Sequence, residues 1–100
     1  MTELTSAQRK YLRSQAHHLD PVVLVGKQGL TEHLVQSTDQ ALDARELIKV
    51  RFNDHKDQKK VLSEELRART QSQVAGILGH VLILYRPHKD ETKRKFVLPE

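Results

Sequence analysis

The fold is decided by one stretch of sequence, Val22-Val23-Leu24-Val25-Gly26-Lys27-Gln28-Gly29. Its first half is a short, continuous apolar run rich in β-branched residues, which is typical of a strand buried on both faces. Its second half is a turn whose two glycines can adopt backbone angles that other residues avoid. From Leu30 to Leu42, apolar residues recur every three or four positions, which predicts a helix. The stretch therefore predicts a strand, a glycine turn and a helix in succession.

Upstream of this strand, the pattern predicts another helix. It begins near Thr5 or Ser6, either of which can cap the first turn. Its apolar positions follow helical spacing as far as Leu19, and Asp20-Pro21 ends it because the residue before proline disfavours the helical region. Three basic residues fall mostly on the opposite side of this helix: Arg9, Lys10 and Arg13.

Downstream, residues 47–53 alternate between apolar and polar, which predicts a half-buried strand with Lys49 and Arg51 on its outer side. Apolar spacing then predicts a third helix through residues 62–78, ended by Gly79 as a C-cap glycine. Residues 81–85 form a second fully apolar run, predicted as a central strand. A final strand is expected at residues 95–98, where the short charged connection would pair it with residues 81–85 in an antiparallel hairpin.

The expected order of elements is therefore helix, strand, helix, strand, helix, strand, strand. This order predicts an α/β (α+β) fold with three helices and a four-stranded mixed sheet. The second and third helices can share one face of the sheet, while the first covers part of the other. At 100 residues, the chain is expected to form a single domain over residues 1–100.

The bulk composition narrows the class of protein. The net charge is +4, which favours polyanionic partners such as nucleic acid without selecting one. The chain has no cysteine, so disulfides and thiolate metal sites are excluded. No secretory apolar segment is visible at residues 1–9, and no apolar run approaches the roughly 18 residues that span a bilayer. A cytoplasmic protein without a membrane partner is expected.

The glycine turn carries the chemistry. A helix that follows such a turn presents unpaired backbone N–H groups and a positive dipole end, which bind phosphate. Lys27 adds a mobile charge at the tip, and Gln28 adds a neutral donor and acceptor. The spacing matches neither a Walker A loop nor a dinucleotide-binding fingerprint. The alternative interpretation is that the glycines simply turn the chain.

Catalytic and metal sites are not expected. His17 and His18 diverge by about 100° on a helix, and the other histidines lack ligand spacing. No nucleophile elbow surrounds Ser63 or Ser72, which lie within the third predicted helix. We therefore predict a protein that is not an enzyme, with no cofactor, no metal site and no small-molecule substrate.

The sequence resembles the CRM domain family, and within it the bacterial stand-alone YhbY-like members. The resemblance extends over about residues 6–98. Six segments carry it: Arg9-Lys10-Tyr11-Leu12-Arg13, Ala16-His17-His18-Leu19, Pro21-Val22-Val23 with Gly26-Lys27-Gln28-Gly29-Leu30-Thr31, Ala41 through Val50, Ile77-Leu78-Gly79-His80-Val81, and Leu84-Tyr85-Arg86-Pro87. It implies a fold related to KH domains and to the C-terminal domain of bacterial initiation factor three. It also implies RNA binding through the glycine loop, in a pre-ribosomal particle that contains large-subunit ribosomal RNA or its precursor.

The predicted RNA site has two parts, the loop and the basic residues around it. Its members are Gly26, Lys27, Gln28, Gly29, Arg9, Lys10, Arg13 and Arg86. An alternative for Arg9, Lys10 and Arg13 is that they form an ordinary solvated face of the first helix and do not bind RNA. The arm that begins at Arg86 could instead protect an edge strand. At the level of function, the alternative is a factor that docks on a ribosomal protein and uses its basic surface for attraction only.

Overall fold

The computed structural model describes residues 3–100; Met1 and Thr2, which the predicted domain of residues 1–100 includes, lie outside the described residues. Seven main elements follow one another along the chain: α1 (Ser6–Ala16), β1 (Pro21–Val25), α2 (Glu32–Arg45), β2 (Leu47–Phe52), α3 (Lys59–Thr70), β3 (Gln73–Leu78) and β4 (Val81–Tyr85). Short 3-10 turns lie at Lys56–Gln58 and Glu91–Lys93.

The four strands form one mixed sheet in the order β1-β2-β4-β3. β1 runs parallel to β2, which a helical crossover through α2 allows, whereas β4 is antiparallel to both of its neighbours. The predicted fold class is confirmed, and the elements follow the predicted order by type, although the last two strands lie at other residues than predicted.

The predicted end of the third helix is wrong. The helix stops at Thr70, where Gln71 adopts a left-handed conformation (φ 54°), and residues 73–78 form β3. A register shift between Val74 and Gly76 places Val74 and Ile77 against the same core. This bulge gives the strand a three-residue apolar spacing that imitates a helical repeat.

The predicted strand at residues 95–98 is also wrong, because these residues have no regular structure. β4 already pairs with β2 on one side and β3 on the other, so β4 has no free edge with which residues 95–98 could pair. The hairpin is instead formed by β3 and β4, and Gly79 (φ 61°) lies in its tight turn instead of capping a helix. Phe96 and Leu98 pack against the core beneath α1.

Two apolar cores lie on opposite faces of the sheet, as expected. Side chains of α2 and α3 cover one face, and α1 covers part of the other. β4 is buried on both faces, but β1 is not: Val22 is 41% exposed and Leu24 is 55% exposed. The prediction for β1 is therefore wrong, because this strand lies at the sheet edge, beyond the core that α1 forms over Ala75 and Ile83.

Candidate nucleic-acid interface

The glycine loop is a closed turn between β1 and α2. The backbone amide of Gly29 donates to the carbonyl of Gly26 at 3.0 Å, which leaves Lys27 and Gln28 exposed at the tip. Thr31 caps α2 by accepting a hydrogen bond from the amide of Leu34 at 3.1 Å. The tip of the loop and the first turn of α2, a helix of 14 residues, line the same groove and are therefore adjacent.

The loop is held from behind by the segment that joins β2 to α3. The carbonyl of Val25 accepts the amides of Asn53 and Asp54 at 3.0 and 3.2 Å. The Nε2–H of His55 donates to the carbonyl of Lys27 at 2.8 Å. No sequence pattern pointed to His55, because the bond joins residues 28 positions apart.

The two glycines of the loop have different reasons to be glycine. Gly29 has a φ of 69°, a conformation that side chains strongly disfavour. Gly26 has no positive φ, and a Cβ built on it would meet nothing within 4 Å. The backbone therefore favours glycine at position 29, whereas nothing within residues 3–100 favours it at position 26.

A shallow groove of about 540 Å³ lies beside the loop. Its walls are the free edge of β1 and the first turns of α2, with the loop at one end. The lining side chains include Val22, Leu24, His33 and Ser37, and none of the residues that line it is acidic. The groove can therefore accept an anionic chain without a repelling carboxylate on its walls.

Of the basic residues predicted on α1, two are engaged within the protein. Arg9 donates to the carbonyl of Leu4 at 2.7 Å and to the hydroxyl of Ser6. Arg13 donates to the carbonyl of Ala75 at 3.1 Å, in β3 beneath α1. Lys10 is exposed.

Arg13 lies across Gly76, and this contact gives a testable prediction. A Cβ at position 76 would come within 2.7 Å of Cδ of Arg13, so Gly76→Ala should displace the arginine and lower the free energy of unfolding by about 1–3 kcal/mol. Denaturant unfolding measures this change. Gly76→Ala combined with Arg13→Ala removes the clash, so the loss in the double variant should be smaller than the sum of the two single losses.

Arg86 lies at the end of β4 that is remote from the loop. Its guanidinium donates to the carboxylates of Asp39 and Asp43 and to the carbonyls of Asp39 and Thr70, at 2.7–2.9 Å. Arg9 also shares a cleft with Gln73, at that same end of the sheet. The structure therefore does not bring Arg9 or Arg86 to the glycine loop.

Other basic residues do gather where the loop lies. Three connections meet at one end of the sheet, here called the loop end: residues 26–29, residues 53–58 and the Gly79-His80 turn. The amide of Phe52 donates to the carbonyl of His80 at 2.8 Å, and Lys59 Nζ donates to the carbonyl of Gly79.

Cations outnumber carboxylates at this end: Lys27, Arg51, Lys56 and Lys59 against Asp54 and Asp57. Loss of solvent around the ring, and then the charges of Lys59, Lys56 and Arg51, lower the pKa of His80 below its ordinary value. No carboxylate is among the groups that shift it. None of Arg51, Lys56, Lys59 and His80 was in the predicted site, because only the strand register brings them together.

Neither a metal centre nor a membrane span is found within residues 3–100. No group of three or more histidine or acidic side chains is placed to hold a metal ion. No helix in this range is long and apolar enough to cross a bilayer.

The chain is similar to known proteins over most of its length. The model of the CRS1 / YhbY (CRM) domain matches residues 4–86. A Haemophilus influenzae relative named RNA-binding protein is 36% identical over 90% of this chain and 92% of its own length. A Bacillus subtilis relative, named a probable RNA-binding protein, is 38% identical over 87% of this chain and 92% of its own. The solution structure of a hypothetical protein from Staphylococcus aureus superposes with a TM-score of 0.81, at 39% identity, over 96% of this chain and 99% of that chain.

Proposed function

The chain belongs to the CRS1/YhbY (CRM) domain family, and we propose that it binds RNA by holding the phosphate backbone at the Gly26–Gly29 loop. One observation carries the proposal: Gly26 is exposed, is not required by the fold, and stands next to Lys27 at the start of a helix. A glycine that the protein does not need for itself is explained if another backbone must come close to it.

Several features support phosphate as the group that is bound. Lys27 supplies a point charge, and the first turn of α2 supplies backbone N–H groups and the positive end of the helix dipole. The adjoining groove, which no acidic side chain lines, would hold more of the sugar–phosphate backbone of the same strand. Relatives over most of the chain are named for RNA binding.

The RNA in this proposal is that of the large ribosomal subunit or its precursor, bound within a pre-ribosomal particle in the cytoplasm. The resemblance to the bacterial stand-alone members supports this choice. The protein would act by binding alone, without a cofactor or a catalytic step. Crosslinking in cells, followed by sequencing of the bound RNA, should give reads concentrated in large-subunit precursors; reads spread evenly over cellular RNA would contradict this assignment.

Replacement of Gly26 by alanine tests the loop itself. Because the added Cβ meets nothing and φ is not positive, Gly26→Ala should leave the stability unchanged or raise it by about 0.4–1 kcal/mol. The same methyl group should obstruct the RNA backbone and weaken binding about tenfold in a fluorescence anisotropy titration with structured ribosomal RNA. Equal affinity of Gly26→Ala and wild type would exclude the loop as the site. Gly29 is unsuitable for this test because its left-handed conformation makes any side chain destabilising.

The charge of Lys27 gives a separate prediction. Lys27→Ala should weaken binding to all RNA sequences about equally and reduce the slope of log affinity against log salt by about 1. Lys89→Ala removes the same charge near the remote end of β4, so its slope should match that of wild type. If Lys27→Ala and Lys89→Ala share one slope, Lys27 does not contact phosphate. A protein that docks only on a ribosomal protein would show little affinity for naked RNA.

A further inference from the structure

The strand register places four residues in one line across the loop end of the sheet. Leu24 of β1 pairs with Arg51 of β2, Arg51 pairs with Val81 of β4, and Val81 pairs with Leu78 of β3. Paired residues project from the same face of a sheet, so all four side chains point to one side. These four residues are called the loop-end row.

The loop-end row lies on the face that α1 covers only in part. In β4 and β3, the next residues inward on this face are Ile83, which is buried beneath α1, and its partner Gly76, which Arg13 of α1 covers. In the row itself, Leu24 is 55% exposed, Leu78 is 57% exposed, and Arg51 is exposed. Val81 is half-buried, so the last strip of the sheet is open to solvent at Leu24, Arg51 and Leu78 and partly covered at Val81, over a width of roughly 14 Å at the usual strand spacing.

This strip combines apolar surface with positive charge. Arg51 stands between Leu24 and Val81, while His80, Lys56 and Lys59 lie at the adjoining corner. The strip is also continuous with the glycine loop, since Gly26 follows Leu24 by two residues.

We propose that the loop-end row is a platform for unpaired bases of the RNA strand that the glycine loop holds. This inference rests on the proposed RNA binding and extends it, because it assigns the bases of single-stranded RNA to a surface that the loop does not provide. Exposed bases pack on flat apolar surface and stack on arginine guanidinium planes. Leu24 and Leu78 supply the apolar surface, and Arg51 supplies the guanidinium plane.

The lysines beside the row favour RNA over a protein partner. Lysine is depleted at protein–protein interfaces, and Lys56 and Lys59 lie at the adjoining corner of the strip. The surrounding cations are of the sign that an RNA backbone neutralises. A protein partner would have to bury Arg51 or pair it with a carboxylate of its own.

The proposal is tested with two fluorescein-labelled probes, a single-stranded RNA of mixed sequence and an RNA duplex, each in anisotropy titrations at one salt concentration. Arg51→Ala should weaken single-strand binding about tenfold. Arg51→Lys keeps the charge and loses the plane, so it should weaken single-strand binding almost as much and leave duplex binding unchanged. Leu24→Thr combined with Leu78→Thr should weaken single-strand binding by a few fold.

Matched controls separate the possible failures. All these side chains are exposed, so the thermal midpoints should equal that of wild type, and Lys89→Ala controls for the loss of one charge. Wild-type single-strand affinity in Arg51→Lys, or in the double leucine variant, would overturn the platform. If Gly26→Ala weakens binding but the Arg51 variants do not, only this inference fails. If the wild-type protein binds neither probe, the proposed function fails with it.

Discussion

Glu46→Gln is expected to lower the free energy of unfolding by about 2–3 kcal/mol and to loosen the segment after β4. Glu46 is fully buried, and its carboxylate accepts the amide of His88 at 3.1 Å and the amide of Lys95 at 2.6 Å. These two bonds anchor the chain where it leaves the sheet. A glutamine has one accepting oxygen, and its NH₂ group would face the second amide, so one of these partly buried donors would lose its partner.

Denaturant unfolding gives the energy, and hydrogen exchange at the amides of His88 and Lys95 gives the location. Both amides should exchange faster in Glu46→Gln than in wild type, while the amides of β2 at the sheet centre should change least. Glu65→Gln is the matched control, since Glu65 is an exposed partner of Arg69 and should contribute under about 1 kcal/mol. Equal stability of the two variants would contradict the anchoring role.

Glu46 also has a strained backbone conformation, which allows a second variant at this position. Its φ of 66° and ψ of −43° are unfavourable for a side-chain-bearing residue, and the strain is held by bonds from its amide to Leu42 and from Arg86 to its carbonyl. Glu46→Gly relieves the strain and removes the carboxylate. We expect it to remain less stable than wild type, because the loss of two partly buried hydrogen bonds outweighs the relief of one strained residue. A Glu46→Gly protein as stable as wild type would show that strain relief compensates the lost bonds.

Arg86→Lys should lower the free energy of unfolding by about 2–3 kcal/mol even though the charge is kept. The side chain is 17% exposed and donates four hydrogen bonds. Three of them go to α2 and one goes to the carbonyl of Thr70, the last residue of α3, so the arginine links the two helices. A lysine has a single ammonium group and cannot reach all of these acceptors. Thermal unfolding monitored by circular dichroism measures the loss.

Arg67→Lys is the control for Arg86, because Arg67 pairs with Glu64 on an exposed helix surface. At a temperature where both variants are folded, Arg86→Lys should bind RNA as wild type does. A stable Arg86→Lys protein with weakened RNA binding would instead assign Arg86 to the RNA interface.

Local patterns in the sequence predicted the order of the elements, because periodicity and turn residues act over a few positions. They misplaced the α3 boundary, since the bulge at Val74 and Gly76 gives a strand the spacing of a helix. They also placed β1 in the interior, because an apolar run does not reveal that the strand is at an edge.

The candidate site was predictable only in its loop. Glycines and a lysine within four residues are visible in the sequence, but the His55 bond to Lys27 and the grouping of Arg51 with His80 depend on contacts between distant segments. Charge alone also does not distinguish a free cation from one such as Arg86, whose guanidinium makes four hydrogen bonds within the fold.

The bond from His55 to the carbonyl of Lys27 has a consequence for the kinetics of binding. Because the loop is already closed and supported from behind, little chain ordering remains to be done when a ligand arrives. Encounter would then be limited by diffusion and by steering in the field of a chain with net charge +4. Variation in affinity among different RNAs should accordingly lie in how long each complex survives, and much less in how fast it forms.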